Sequence, residues 1–155
     1  MKKSSDEWSD PNHSINYLGR VNSFPYRKEG DAILLANISA DAARILDLGS
    51  GDGRLIKMIK ENSRKSDIEF VALDISPTML KSLKHNFAND TFVKVIEHDL
   101  DTLLPDLGYF DAIISGFAIH HLRHSRKYSL YEEIYDMLNP TGVFCNLEHV
   151  SSIST

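Results

Sequence analysis

From residue 44 onward, short apolar runs alternate with stretches whose apolar residues recur at helical spacing. Arg44–Leu48, Glu69–Asp74 and residues 92–97, 110–115 and 143–148 read as strands. Arg54–Asn62 reads as a helix, with Leu55, Ile56, Met58 and Ile59 on its buried face. Ser76 and Pro77 supply a cap and a first-turn proline for a helix over 77–88, striped by Met79, Leu80, Leu83 and Phe87. A last helix over 126–138 is stopped by Asn139-Pro140-Thr141-Gly142. The first 28 residues are polar and punctuated by Pro11, Gly19 and Pro25, with a short helix expected over 14–20. A better one is expected over 30–38, on Ala32, Ile33, Leu35 and Ala36. Short apolar strands separated by amphipathic helices predict an α/β fold with a doubly wound, mostly parallel sheet. Residues 1–40 are expected to form a helical cap and 41–155 the α/β domain, within one domain overall.

The most informative stretch is Ile45 to Leu55, Ile-Leu-Asp-Leu-Gly-Ser-Gly-Asp-Gly-Arg-Leu. It is a strand, a glycine turn and a helix start, the first half of a nucleotide-binding unit. Gly49, Gly51 and Gly53 let a ligand approach the main chain, with Ser50 between them. Asp47 and Asp52 flank the turn. They would repel phosphate and attract a ligand carrying an ammonium or sulfonium group. Asp74 ends the second strand 21 residues beyond Gly53, where an acid can accept both hydroxyls of a ribose. The glycine spacing is G-x-G-x-G rather than the G-x-G-x-x-G of nicotinamide sites.

These residues resemble the first motif of class I S-adenosylmethionine-dependent methyltransferases, and the resemblance runs in order from about Ile45 to Val150. It implies a Rossmann-like sheet in the order 3-2-1-4-5, here without the last two strands usual in the family. It implies S-adenosyl-L-methionine as cofactor and S-adenosyl-L-homocysteine as product. An acid after the third strand then accepts from the adenine amino group while the next backbone N–H meets the ring; Asp99 and Leu100 stand there. Ile75 and Met79 are candidates to pack on the adenine face. Ser115 and Phe117, after the fourth strand, are expected to line the cleft.

His120, His121 and His124 form H-H-x-x-H, with 120 and 124 expected on one helix face. No cysteine or carboxylate pair completes a metal site, so no metal is expected. His120 is the candidate general base, and Glu148, at the end of the fifth strand, the candidate to orient a polar acceptor. Arg20 and Arg27 are candidates for a cofactor carboxylate or a substrate acid. Asp111, at the opposite end of its strand, reads as structural.

The 155 residues carry 42% hydrophobic and 25% charged residues, enough for a core and a solvated surface. The net charge of −5 gives no footprint for nucleic acid. Cys145 lies in an apolar run and reads as a buried thiol. The start has no apolar stretch after its lysines and no segment reaches the length of a membrane span, so cytoplasm is the expectation. The expected partner is a small-molecule methyl acceptor, without membrane or nucleic acid. The fifth strand is left at the sheet edge, which admits a homodimer across it, a cover from the N-terminal segment, or a fragment of a longer chain. The first reading is a methyltransferase. The alternative is a non-catalytic S-adenosylmethionine-binding remnant acting as an interaction or regulatory module.

Overall fold

A computed structural model describes residues 4–20, 23 and 25–149. Val150, to which the resemblance extends, and residues 151–155 lie outside the described residues. Three helices open the chain, α1 (Ser4–Trp8), α2 (Pro11–Arg20) and α3 (Arg27–Asn37). Then β1 (Arg44–Leu48), α4 (Arg54–Asn62), β2 (Glu69–Asp74), α5 (Pro77–Asn86), β3 (Val93–Glu97) and β4 (Phe110–Gly116) alternate. A 3₁₀ turn over Ile119–His121, α6 (His124–Asp136) and β5 (Leu138–Leu147) follow. The sheet is parallel throughout, in the order β3-β2-β1-β4-β5, as the sequence predicts.

The strand pleat divides the core. Ile45, Phe70, Ala112 and Ile114 face one side and meet Leu34 of α3, Ile56 and Ile59 of α4 and Leu83 of α5. Leu46, Leu48, Val71, Leu73 and Ile113 face the other and meet Leu130 and Ile134 of α6. Strands buried on both faces must be apolar throughout, which is why β1 and β2 read as continuous runs. The exception is Asp47, which the alternation puts on the side of Ile45, beneath α4, at 1% exposure.

Helix starts follow local chemistry. Ser76 caps α5, its hydroxyl accepting from the Met79 N–H at 3.4 Å, and Pro77 occupies the first turn. The same hydroxyl lies 2.8 Å from the Ser14 hydroxyl, a buried bond that fastens α2 against α5.

β5 begins earlier than the sequence suggests. Leu138 pairs with Phe110, and the next partners are Ala112 and Val143. Asn139-Pro140-Thr141-Gly142 is the expected turn, accommodated as an irregularity inside the strand. β5 is an edge strand whose two faces are covered. Leu147 packs at Gly30 of α3, and Phe144 lies 5.9 Å, ring to ring, from Tyr131 of α6.

Asp111 is structural, as expected. It accepts from the amides of Ala43 and Arg44 at 2.8 and 3.0 Å and from the Asn139 side chain at 2.8 Å. Burial alone would raise its pKa, but these donors hold it below the ordinary value. A depressed acid contributes stability above its unfolded pKa and loses it as pH falls through the folded one. Asp111→Ala is therefore expected to cost about 1–3 kcal/mol in urea unfolding at neutral pH, and less in acid.

Candidate functional site

The C-terminal ends of the strands carry the site. Gly49, Gly51 and Gly53 all take left-handed φ values, of 70°, 60° and 89°. The turn is tied to β2 by two main-chain donors: Ser50 N–H to the Leu73 carbonyl at 2.9 Å, and Gly51 N–H to Asp74 Oδ2 at 2.8 Å. The other oxygen of Asp74 accepts from the Ser76 N–H at 2.8 Å. A side chain at Gly51 would meet only the Met79 sulfur at 3.9 Å, so this part of the turn is open to a ligand.

Between the strand ends lies a cavity of about 630 Å³, counted to its open mouth. Gly49, Gly51, Asp74, Ile75, Met79, Asp99, Leu100 and Phe117, eight of the residues expected at a cofactor, line it. A smaller recess adjoins it, lined by Asp47, Ser50, Asp52, Arg27, Arg54 and Tyr17. The Asp47 carboxylate has no hydrogen-bond partner among the described residues. Burial drives its pKa up to about 7; the Asp74 charge adds to this, and Ser50 and Arg54 oppose it. Asp74 is also raised by burial, against the N–H groups of Ser76, Gly51 and Ile75. Arg27 and Arg54 bring positive charge to the same recess. Arg54 is fixed by a bidentate pair with Asp31 of α3, at 2.7 and 2.9 Å, and Arg27 bonds Tyr17.

Two glycine-turn and strand-end expectations are corrected. Gly53 touches neither cavity; a Cβ there would fall 2.3 Å from the Phe87 ring and 2.7 Å from Leu83, so this glycine serves helix packing. Ser115 is fully buried and donates to the Leu48 carbonyl at 2.9 Å, tying β4 to β1. The histidines do not share a helix face either. His120 and His121 stand in the 3₁₀ turn, Leu122 is extended, and His124 starts α6.

His120 and Glu148 come together as a pair, though neither lines the cavity or the recess. Glu148 accepts from His120 Nδ1 at 2.6 Å and from its main-chain N–H at 3.0 Å. His121 lines the cavity, its ring 3.9 Å from that of His120 and 5.3 Å from that of Trp8. Burial and the neighbouring His120 push its pKa down to about 4. Phe117 holds a left-handed φ of 57°, rare for a side chain of its size, with Arg27 at 5.1 Å and His149 at 4.7 Å from its ring.

The sequence reading missed Trp8 and Tyr17, which roof the cavity from α1 and α2. Aromatic residues in an otherwise polar segment were the available signal. His98 and His121 were missed as lining residues.

Residues 45–142 match the profile of a family described as methyltransferase domain. The chain belongs to that family. A carboxy-S-adenosyl-L-methionine synthase from Nautilia profundicola is 32% identical over 126 residues, covering 79% of this chain and 52% of the relative. The chain thus spans about half the length of the curated relatives it matches. Among solved structures, a methyltransferase from Haloferax volcanii in complex with the Trm112 activator superposes with a TM-score of 0.70 at 22% identity, covering 92% of this chain and 58% of the other. CalS10 from Micromonospora echinaspora, an amino pentose methyltransferase, gives 0.64 at 22% identity, covering 84% and 53%. These likenesses confirm the Rossmann-like methyltransferase fold. No helix among the described residues is long and apolar enough to cross a membrane.

Asp47 and His121 make opposite demands on pH. A raised acid loses native stability as pH rises from its unfolded value near 3.8 to about 7; a lowered imidazole loses it as pH falls from 6.5 to about 4. Each slope is at most about 1.4 kcal/mol per pH unit, and the two oppose each other across the shared window. Thermal unfolding of Asp47→Asn is expected to show stability rising from pH 4 to 6.5. His121→Gln is expected to show it falling over the same range. Parallel profiles for the two variants would contradict this assignment.

Proposed function

We propose that this chain binds S-adenosyl-L-methionine at the glycine turn and transfers its methyl group to a small-molecule acceptor. The observation that carries the reading is the buried, partnerless carboxylate of Asp47 beside a recess that also holds Arg27 and Arg54. A desolvated carboxylate gains most from a cation, and an arginine from a carboxylate, so the recess suits an amino-acid zwitterion. Asp74 keeps acceptor capacity for a ribose hydroxyl, since the backbone N–H groups of Gly51, Ser76 and Ile75 do not exhaust the lone pairs of its two oxygens. Asp99 and Leu100 take the adenine edge, and Ile75 and Met79 its face. The name of the carboxy-S-adenosyl-L-methionine synthase relative and the S-adenosylmethionine bound to CalS10 support this cofactor.

When bound, S-adenosylmethionine supplies a methyl group on a sulfonium, already a good leaving group. The protein's part is alignment, exclusion of water and removal of a proton. A carboxylate can only accept, so His120 Nδ1–H donates to Glu148 and leaves the Nε2 lone pair free to take the acceptor's proton. Glu148 fixes this tautomer and stabilises the imidazolium that forms. Trp8 and Tyr17, above the cavity, limit water. Membership of a methyltransferase family favours this over the non-catalytic alternative.

Calorimetric titration with S-adenosylhomocysteine tests the reading, with micromolar binding expected. Asp74→Ala is expected to weaken that binding by about 1–3 kcal/mol. Full affinity in a folded Asp74→Ala protein would remove Asp74 from the site. His120→Ala is expected to keep cofactor affinity and slow transfer; loss of cofactor binding instead would refute the assigned role.

A further inference from the structure

Residues 98–109 join β3 to β4 without regular secondary structure, yet their first part forms one wall of the cavity. Main-chain groups in such a segment need partners, and here two arginines supply them. Arg126 of α6 donates from Nε to the Leu100 carbonyl and from Nη2 to the Thr102 carbonyl, both at 2.7 Å. Arg44 of β1 donates from Nη1 to the Leu107 and Tyr109 carbonyls at 2.6 and 3.0 Å.

The near end is the more tightly determined. The Arg126 guanidinium is paired with Glu133, one turn pair along the same helix, and both side chains are largely buried, at 11% and 17% exposure. Glu133 also accepts from the Leu104 N–H at 2.9 Å. Burial alone would raise Glu133, but Arg126 and the Leu104 amide hold its pKa below the ordinary range, so the pair stays ionised. The Leu100–Asp101 peptide is gripped at both ends, its carbonyl by Arg126 and its N–H by Asp99 Oδ1 at 2.9 Å. Asp99 is held in turn, since its own carbonyl accepts from the N–H and hydroxyl of Thr102 at 2.9 and 2.8 Å. The N–H assigned to the ring belongs to the Asp99–Leu100 peptide, whose carbonyl these Thr102 bonds hold, and the assigned carboxylate is the one that accepts from Asp101.

We infer that Arg126, clamped by Glu133, is a positioning residue for purine recognition: it sets the course of residues 99–102 so that Asp99 and Leu100 read the base. Arg126 does not itself line the cavity. Its planar fork spans two carbonyls at once, which a lysine cannot do. This inference rests on the proposed S-adenosylmethionine site and adds to it the device that fixes base selectivity.

The test compares adenosine with inosine, which exchanges donor and acceptor at the recognised edge, by calorimetry on the full chain. Wild-type protein is expected to prefer adenosine. Arg126→Met is expected to reduce that preference about tenfold, the loss of a well-aligned polar contact, and Arg126→Lys to fall between. Amide exchange over residues 99–104 is expected to quicken in both. Arg44→Met, which frees the far end of the segment, is expected to lower stability while leaving the preference within about twofold. If Arg126→Met does not fold, Glu133→Gln replaces it, with the same direction expected. An unchanged preference in a folded Arg126 or Glu133 variant overturns the proposal. So does an equal loss in Arg44→Met, which would make the effect one of general loosening. A wild-type protein indifferent to the two nucleosides overturns the cofactor reading itself, before any variant is compared.

Discussion

The Asp74 carboxylate bonds the amide of Gly51 ahead of α4 and that of Ser76 ahead of α5. It therefore joins the starts of two helices to the end of the strand between them. Within the glycine turn the Ser50 hydroxyl donates to the Asp47 carbonyl at 3.0 Å, but the turn's left-handed glycines are entropically costly to order. Its position comes from outside, through this carboxylate and the Ser50–Leu73 main-chain bond. The floor of the cavity follows from that tie, and so does the roof, because the same Ser76 whose amide Asp74 holds receives α2 through Ser14. The contrast with Asp47 is instructive. Asp47 is fully buried and Asp74 half-buried, but only Asp74 has backbone donors to offset desolvation. Asp47 is left with an unmet demand for positive charge.

Much of this was legible in the sequence, for reasons that can be located. β1, α4 and β2 fall where the pattern puts them, because strands buried on both faces and a striped helix leave no alternative period. Asp47, Gly51, Asp74 and Met79 sit in one continuous span whose spacing encodes the turn. What escaped notice was either tertiary or a break in local structure. Trp8 and Tyr17 reach the cavity from helices that precede the sheet, and aromatic residues in a polar segment signal burial without saying against what. The 3₁₀ turn at Ile119–His121 ends at Leu122, so helical spacing between His120 and His124 had no helix to act on. Gly53 belonged to the motif by spacing, but its surroundings are Phe87 and Leu83 rather than a ligand.

The margin of the sheet shows a similar division. The sequence left β5 at the edge, and it is there. The N-terminal segment does reach it, but through α3 on one face, while α6 covers the other, so the strand is sandwiched without its outer hydrogen-bonding edge being paired among the described residues. Covering faces and pairing an edge are separate problems, and helices solve only the first.

Four carbonyl oxygens of the segment after β3, those of Leu100, Thr102, Leu107 and Tyr109, are held by two arginines that belong to other elements. Carbonyls are the part of a chain that mutation does not alter. Leu103 and Tyr109, both exposed, can therefore drift to other residues while the path of the chain is preserved. A wall built this way separates two histories: its course is inherited from α6 and β1, while the side chains it displays remain free to vary with whatever molecule comes to lie against them.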